Sequence, residues 1–246
     1  MSEHTFSNKL EGFGPVYVIN LKSRTDRFEY ITNQLKINNV ENYEIIEAVD
    51  GSSTDFDKIV HNRESLKITN SELGATISHL KTIKHWLDNS PSDYAIIMED
   101  DLSFETVKYW NFNFKDFIQS VNKQYDMLQF CIIHNFKVNP VLHIRERRDW
   151  SAACYLITRK RAEVLIGNFY VDGKYKLPIG NVNAVADSLI YTKSRCYSQP
   201  LFTYTMEFET SIESPGNSKQ DKERPGGIHD RSRNEVIEFW EKNGIS

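Results

Sequence analysis

The stretch that most constrains this chain is Tyr94-Ala-Ile-Ile-Met-Glu-Asp-Asp-Leu102. It is apolar in nearly unbroken order from Tyr94 to Met98 and then ends in three carboxylates, Glu99, Asp100 and Asp101. A short run with no polar alternation fits a strand covered on both faces, the pattern of a parallel sheet between helices. An open α/β sheet places its ligand just beyond the C-terminal ends of such strands. Side chains alternate along an extended segment, so Glu99 and Asp101 are expected to point one way and Asp100 the other. Two hard oxygen donors suit Mg²⁺ or Mn²⁺ carrying a phosphate. The alternative is an acidic turn in solvent; the apolar run before it and Leu102 and Phe104 after it favour a site.

A second strand signal is Pro15 to Leu21, with Val16, Tyr17, Val18, Ile19 and Leu21 in near-continuous order. It runs into Lys22-Ser-Arg-Thr-Asp-Arg27 and then into a helical spacing at Phe28, Ile31 and Leu35. Thr25 or Asp26 is expected to cap that helix. A basic, hydroxyl-rich loop opening a helix can hold an anion through backbone N–H groups, the helix dipole and Arg side chains. An ordinary solvated loop has the same composition, so both readings stand at this point.

Tyr43 to Val49 reads as a strand ending in the turn signal Asp50-Gly51-Ser52, and 52–70 as irregular. Ser71 is expected to cap a helix with Glu72 in its first turn and a stripe of Leu73, Ile77, Leu80 and Leu87, bordered by Ile83. Gly74 is placed where a close backbone approach is cheap, and His79 and Lys81 lie off the stripe centre. Further on, Phe112, Phe114, Phe117, Ile118 and Val121 predict an aromatic-rich helix. Met127–Ile133 and Ala152–Ile157 predict strands, with Arg145–Asp149 a charged turn between hairpin strands. Thr158 caps a helix, Asp187 opens a short one, and Pro200 splits Cys196–Met206 into an edge or two short strands. Residues 213–231 are expected to be mobile, followed by a helix carrying Val236, Ile237, Phe239 and Trp240.

Strands alternate with helices through the first 135 residues, which argues for a mostly parallel sheet with helices on both faces. The chain has 246 residues and 39% hydrophobic content, enough for one sizeable core. We expect a single domain over 1–246, with a nucleotide-binding half at about 15–135, an acceptor half at 136–212, and a mobile segment plus C-terminal helix at 213–246. A net charge of −4 gives no electrostatic case for nucleic acid, although Lys22–Arg27, Arg145–Arg148 and Arg159–Arg161 are local basic clusters. Cys131, Cys154 and Cys196 are widely spaced and read as thiols of a reducing compartment. No apolar run approaches the ~20 residues of a membrane span. Met1-Ser-Glu-His-Thr-Phe lacks the regions of a signal peptide, so a cytoplasmic protein is expected, with peripheral membrane association left open.

Three segments together resemble glycosyltransferase family 25, the lipooligosaccharide and procollagen galactosyltransferases. Val16-Tyr-Val-Ile-Asn-Leu-Lys-Ser-Arg-Thr-Asp-Arg27 resembles its opening strand and basic loop. Ser71-Glu-Leu-Gly-Ala-Thr-Ile-Ser-His-Leu-Lys81 resembles its Gly…Ser-His-Leu helix, and Ile97-Met-Glu-Asp-Asp-Leu102 its acidic motif. Fainter echoes follow at Ser151–Arg159, Asp187 and Thr210–Ile212, so the likeness spans about residues 15–212 in order. The resemblance implies a GT-A fold, a Rossmann-like α/β domain binding a nucleotide sugar with a mixed acceptor portion. It also implies a UDP-sugar donor, a divalent cation and inversion at the anomeric carbon.

On that chemistry Asp101 is the first choice of metal ligand, with Glu99 bound directly or through water, and Asp100 touches the donor ribose or sugar. Arg24 and Arg27 are candidates for phosphate contacts, with Asn20 and Lys22 at the same mouth. Ser78 and His79 match the family's helix motif and are placed on the donor site. An inverting transfer needs a base opposite the leaving group that is not a metal ligand. Asp187 is the candidate, against the alternative that it only caps its helix. The expected activity moves a hexose, galactose or glucose, to a hydroxyl of a glycan or other acceptor. Two readings from other classes remain: a metal-dependent phosphohydrolase or nuclease, and an inactive sugar-binding module of the same fold. The oligomeric state is open.

Overall fold

The computed structural model describes residues 8–121, 123–179, 184–208 and 226–244. Its first half lays down β1 (Val16–Asn20), α1 (Thr25–Ile37), β2 (Tyr43–Glu47), α2 (Asn70–Asn89) and β3 (Tyr94–Glu99). After a short strand β4 (Leu102–Ser103) come α3 (Phe114–Ser120), β5 (Met127–Gln129), β6 (His143–Ile144), β7 (Cys154–Thr158) and α4 (Arg159–Phe169). A small hairpin, β8 (Tyr170–Val171) with β9 (Lys174–Tyr175), precedes the one-turn α5 (Ala186–Leu189). Then follow β10 (Cys196–Ser198), β11 (Thr203–Tyr204) and a last helix, Ile228–Asn243.

Seven of these strands form one sheet in the order β2-β1-β3-β7-β5-β10-β6. Parallel pairing joins β2, β1 and β3, and again β5 and β10, while β7 runs against both β3 and β5 and β6 runs against β10. Five strands therefore share one direction and two oppose it, a mostly parallel α/β sheet. Strand alternation sorts the core into two layers. Val16, Val18, Ile96 and Met98 pack with Ile31 and Leu35 of α1, Phe114 of α3 and Trp240 of the last helix. Tyr17, Ile19, Ala95 and Ile97 pack with Leu73, Ile77, Leu80 and Trp86 of α2 and Leu165 of α4.

Several local expectations shift. The N-cap of α1 is Arg24, with no side-chain cap, and Arg27 rather than Phe28 takes the buried face; Phe28 is exposed. Arg27 turns inward because its guanidinium has carboxylate partners beneath the helix. For α2 the cap is Thr69, not Ser71: its hydroxyl accepts from the Glu72 N–H while the Glu72 carboxylate accepts from Thr69 N–H. Such a capping box satisfies two end groups at once, each worth about 1 kcal/mol. His79 is fully buried rather than off to one side. The strand after Tyr125 stops at Gln129, and β6 pairs with β10 instead of forming a hairpin with β7. The helix caps at Thr158 and the split at Pro200 are as expected. Thr210–Ile212 and most of 213–231 lie outside the described residues, and from Ile228 the chain is helical. All three cysteines are buried and free. Among the described residues no helix is long and apolar enough to cross a membrane.

Candidate active site

From β1 the chain passes outward to β2, then returns on the other side of β1 as β3. The loops after β1 and β3 therefore part, and a crevice at such a switch point is where open α/β sheets bind ligands. A cavity of about 1110 Å³ opens there. Arg27, Glu99, Asp100 and Asp101 line one side of it, and Trp150, Ser151 and Asp187 also face into it.

The acidic triplet does not follow strand alternation to its end. Glu99 is the last residue of β3, and Asp100 and Asp101 form a turn, so all three carboxylates face the cavity. Asp100 is buried and accepts from Asn20 Nδ2 at 2.8 Å and Arg27 Nη1 at 2.9 Å. The same Arg27 nitrogen donates to Asp101 Oδ2 at 2.9 Å. Glu99 Oε1 lies 3.3 Å from His79 Nε2, whose other ring nitrogen is 3.1 Å from the Tyr155 hydroxyl. Three carboxylates thus share one guanidinium and one imidazole. Burial, and then the Glu99 charge, push the Asp101 carboxyl up to about 7. Burial also raises Asp100 against the pull of Arg27. Burial works against the Arg27 charge, but Asp101 and Asp100 more than offset it. Asp101 keeps 23% of its side chain accessible, inside the cavity.

Among the described residues no three or more His, Cys, Asp or Glu converge as a ready-made metal cage. Mg²⁺ and Mn²⁺ sites on phosphate substrates do not need one, because one or two carboxylates, waters and the phosphates complete the shell. Glu99 and Asp101 supply hard oxygens, and the like charges of Glu99 and Asp100, which add to burial in raising Asp101, are what a cation would relieve. The donor set fits.

The Gly74…Ser78-His79 segment of α2 has a physical job. A Cβ on Gly74 would sit 2.6 Å from the Val49 carbonyl, so only glycine lets the loop after β2 lie this close. One turn later the Ser78 hydroxyl accepts from Val49 N–H at 2.7 Å and donates to the Gly74 carbonyl at 2.7 Å. His79 then reaches Glu99. This segment ties the β2 loop and the acidic strand end to one helix.

Asp187, on α5, is half-buried and accepts from Ser151 N–H at 3.2 Å, while its backbone carbonyl accepts from Arg145 at 2.9 Å. Burial raises its carboxyl, and the charge on Glu99 adds to that. Ser151 holds a positive φ of 100°, a conformation that costs of order 1–3 kcal/mol unless its surroundings enforce it. They do: the Ser151 carbonyl accepts from Gln129 Nε2 at 2.8 Å and from the Tyr191 hydroxyl at 3.1 Å. Gln129 also donates to the carbonyls of Asp149 and Trp150, and its own oxygen accepts from Ser198.

The remaining expected residues spread out. Asn20 supports Asp100 from below rather than lining the cavity. Lys22 is exposed on the loop, and Arg24 pairs with Asp26 at 2.7 Å. Arg24 and Arg27 both lie against the Phe208 ring, at 5.8 and 5.6 Å. His229 lines the cavity, its carbonyl accepting from Tyr204 at 2.6 Å. Trp150, Gln129 and Tyr204 escaped the sequence reading as site residues, and Ser151 entered it only as the start of a fainter family echo. A tryptophan closing the charged run Arg145–Asp149 was the one signal available for Trp150; the others depend on tertiary contacts.

The model of glycosyltransferase family 25, described as an LPS biosynthesis protein, matches residues 13–178. A putative glycosyltransferase, R655 of Acanthamoeba polyphaga mimivirus, is 27% identical over 132 residues, which is 50% of this chain and 38% of that protein. Procollagen galactosyltransferase 2 of Mus musculus is 30% identical over 105 residues, 38% of this chain and 16% of that protein. The chain thus spans less than half the length of these curated relatives. Solved structures of similar path include A197 from STIV, with TM-score 0.42, 11% identity and coverage of 76% of this chain and 82% of that one. The inositol-1-phosphate CTP transferase from T. maritima has TM-score 0.40 and 13% identity, covering 94% of this chain and 97% of that one.

Proposed function

The chain belongs to glycosyltransferase family 25, and from that premise we propose that it moves a hexose from a UDP-sugar to a hydroxyl acceptor with inversion and with the help of a divalent cation. The observation that carries this reading is the placement of Glu99, Asp100 and Asp101 at the β1–β3 switch point, in one cavity with Asp187. A bond to a diphosphate breaks in such a transfer, and negative charge grows on the leaving group. Glu99 and Asp101 would hold a Mg²⁺ or Mn²⁺ that neutralises that charge. Arg27 and Asn20 fix Asp100 and the turn that carries both aspartates.

Asp187 is the group that takes the acceptor's proton. Its carboxylate faces the cavity, is not tied to the triplet, and is aimed by the Ser151 N–H. A raised affinity for protons suits a base that must accept one near neutral pH. Trp150, 38% exposed on the same wall, offers an apolar face to an acceptor ring. The half from 15 to 135 holds the donor and the half from 136 to 212 the acceptor, within one domain. Strands from both halves share one sheet, which supports the single domain.

The test is a donor screen by UDP release, with and without EDTA, followed by NMR of the product's anomeric configuration. UDP release that needs both a divalent cation and an acceptor, with an inverted product, is expected. Cleavage of phosphodiesters without UDP release would overturn the reading in favour of a phosphohydrolase. Neither activity, with UDP still bound, would leave a sugar-binding module.

A further inference from the structure

Residues 134–149 form an excursion closed at its base by the bridge between Ile133 and Trp150. Its inner side is fixed to the last helix. His134 N–H donates to Ser232 Oγ at 3.0 Å, Val138 N–H to Glu235 at 2.7 Å, and Arg231 to the Asn135 carbonyl at 2.8 Å. Its strand β6 pairs with β10 at the edge of the sheet. The outer side is unlike the rest of the surface. Three of the eleven exposed large hydrophobics among the described residues fall on these sixteen positions, and a fourth, Trp150, stands at their foot. Phe136, Val141 and Ile144 are 62%, 52% and 69% exposed. Single exposed apolar residues need no explanation, whereas a concentration of them on one rigid element marks a contact surface.

The charges on the excursion complete the pattern. Lys137, Arg147 and Arg148 are exposed between these apolar groups, and the Arg148 guanidinium lies 5.0 Å from the Phe136 ring. Of the two nearby acids, Asp149 is buried under His143 at 3.1 Å, which leaves Glu146 against three outward cations. The whole chain carries −4, so this is a positive face on an acidic protein. Aliphatic and aromatic groups interleaved with Lys and Arg match the boundary of an anionic bilayer: the apolar groups enter below the headgroups while the cations meet lipid phosphates. Nucleic acid would use the cations but leave Val141 and Ile144 in water.

We propose that the 134–149 excursion docks this protein on an anionic lipid surface. Trp150, at the foot of the excursion, also lines the cavity, so docking would bring the site's mouth towards the lipid headgroups. The proposal does not rest on the transferase reading, and its test needs no turnover.

The full chain is sedimented with vesicles of pure phosphatidylcholine or of equimolar phosphatidylcholine and phosphatidylglycerol, at low and high salt. Binding is expected on the anionic vesicles only, weaker at high salt because exposed charges are screened. Arg147→Glu with Arg148→Glu should lower the partition coefficient at least about tenfold, given the attraction of each cation to an anionic surface. Phe136→Ser with Ile144→Ser should also lower it, with Tm and the far-UV circular dichroism spectrum unchanged in both. No vesicle binding, or binding that neither pair of substitutions reduces, would overturn the proposal. So would a concentration-dependent dimer abolished by Ile144→Ser in protein that ignores vesicles, which would assign the face to a second copy of the chain.

Discussion

The two sides of the cavity hold their carboxylates by different means. On the β2-β1-β3 side the acids grow directly from a strand end, and side chains wire them to neighbours: Arg27 to Asp100 and Asp101, Asn20 to Asp100, His79 to Glu99. On the other side Asp187 sits on a one-turn helix, and what aims it is backbone, the N–H of a strained Ser151 whose carbonyl is pinned by Gln129 and Tyr191. The first side lies within the residues matched to the family, whereas Asp187 lies beyond residue 178.

Removing the proposed base should test the difference most severely. Asp187→Asn is expected to lower kcat/KM about a thousandfold, within the usual 10²–10⁴ of general base catalysis. In the parent enzyme kcat/KM should rise with pH through a value above the ordinary carboxylate range, because burial and the charge on Glu99 raise Asp187; the variant's residual rate should lose that limb. Stability should move the other way. A folded-state pKa above the unfolded one gives stability that is present below the unfolded pKa and lost as pH rises through the folded value. Asn has no such penalty, so the variant should gain Tm relative to the parent as pH rises above the ordinary carboxylate range. An unchanged pH–rate profile in Asp187→Asn would remove it from catalysis.

The two arginines where the chain enters α1, Arg24 at its N-cap and Arg27 in its first turn, look equivalent in sequence and should behave very differently. Arg27 is paired with two carboxylates, and its side chain is 9% exposed. Arg27→Ala should cost about 3–5 kcal/mol of stability by leaving buried carboxylates without their cation. Arg24 makes a more exposed pair with Asp26, so Arg24→Ala should cost no more than about 1 kcal/mol. Urea unfolding of both variants measures this directly, and equal losses would mean the acidic platform is not wired through Arg27.

Asp101→Asn comes next. It removes a charge that Asp100 and Glu99 repel while keeping the volume. Transfer should fall about a hundredfold, roughly 3 kcal/mol of transition-state stabilisation, with Tm held within a few degrees. A Mn²⁺ titration of UDP binding should show the metal-linked part lost. Activity that stays near the parent level and EDTA-sensitive would move the cation to other ligands.

What the sequence made legible follows the same division. Apolar runs announced β1 and β3, because a strand covered on both faces is apolar throughout, and the helical stripe announced α2, because a helix with one buried face is apolar at its own period. The triplet's place at a strand end was legible for the same reason. Its internal geometry was not: alternation stops at Glu99, and nothing local says that Asp100 and Asp101 form a turn answered by Arg27 from another helix. On the far side Asp187 was visible as an acid opening a short helix, but Ser151 and Gln129 act through contacts 36 and 22 residues away, which no local spacing records.

Ser78 offers the smallest effect and the finest distinction. As part of a Gly…Ser-His segment it was expected at the donor, and it does line the cavity. Its hydroxyl, however, already donates to the Gly74 carbonyl and accepts from Val49 N–H, both at 2.7 Å. One lone pair remains for anything else. If its work is to seat the β2 loop on α2, Ser78→Ala should lower stability by about 1–2 kcal/mol, the cost of leaving a part-buried N–H poorly satisfied. UDP affinity should then change less than about threefold, since no charge-assisted contact is lost. Glu99 should keep its place because His79, the next residue, is untouched. Calorimetry of UDP binding beside thermal unfolding separates the two roles. Weaker binding at an unchanged Tm would put the hydroxyl on the donor, and the donor platform would then reach one helix turn further than its carboxylates.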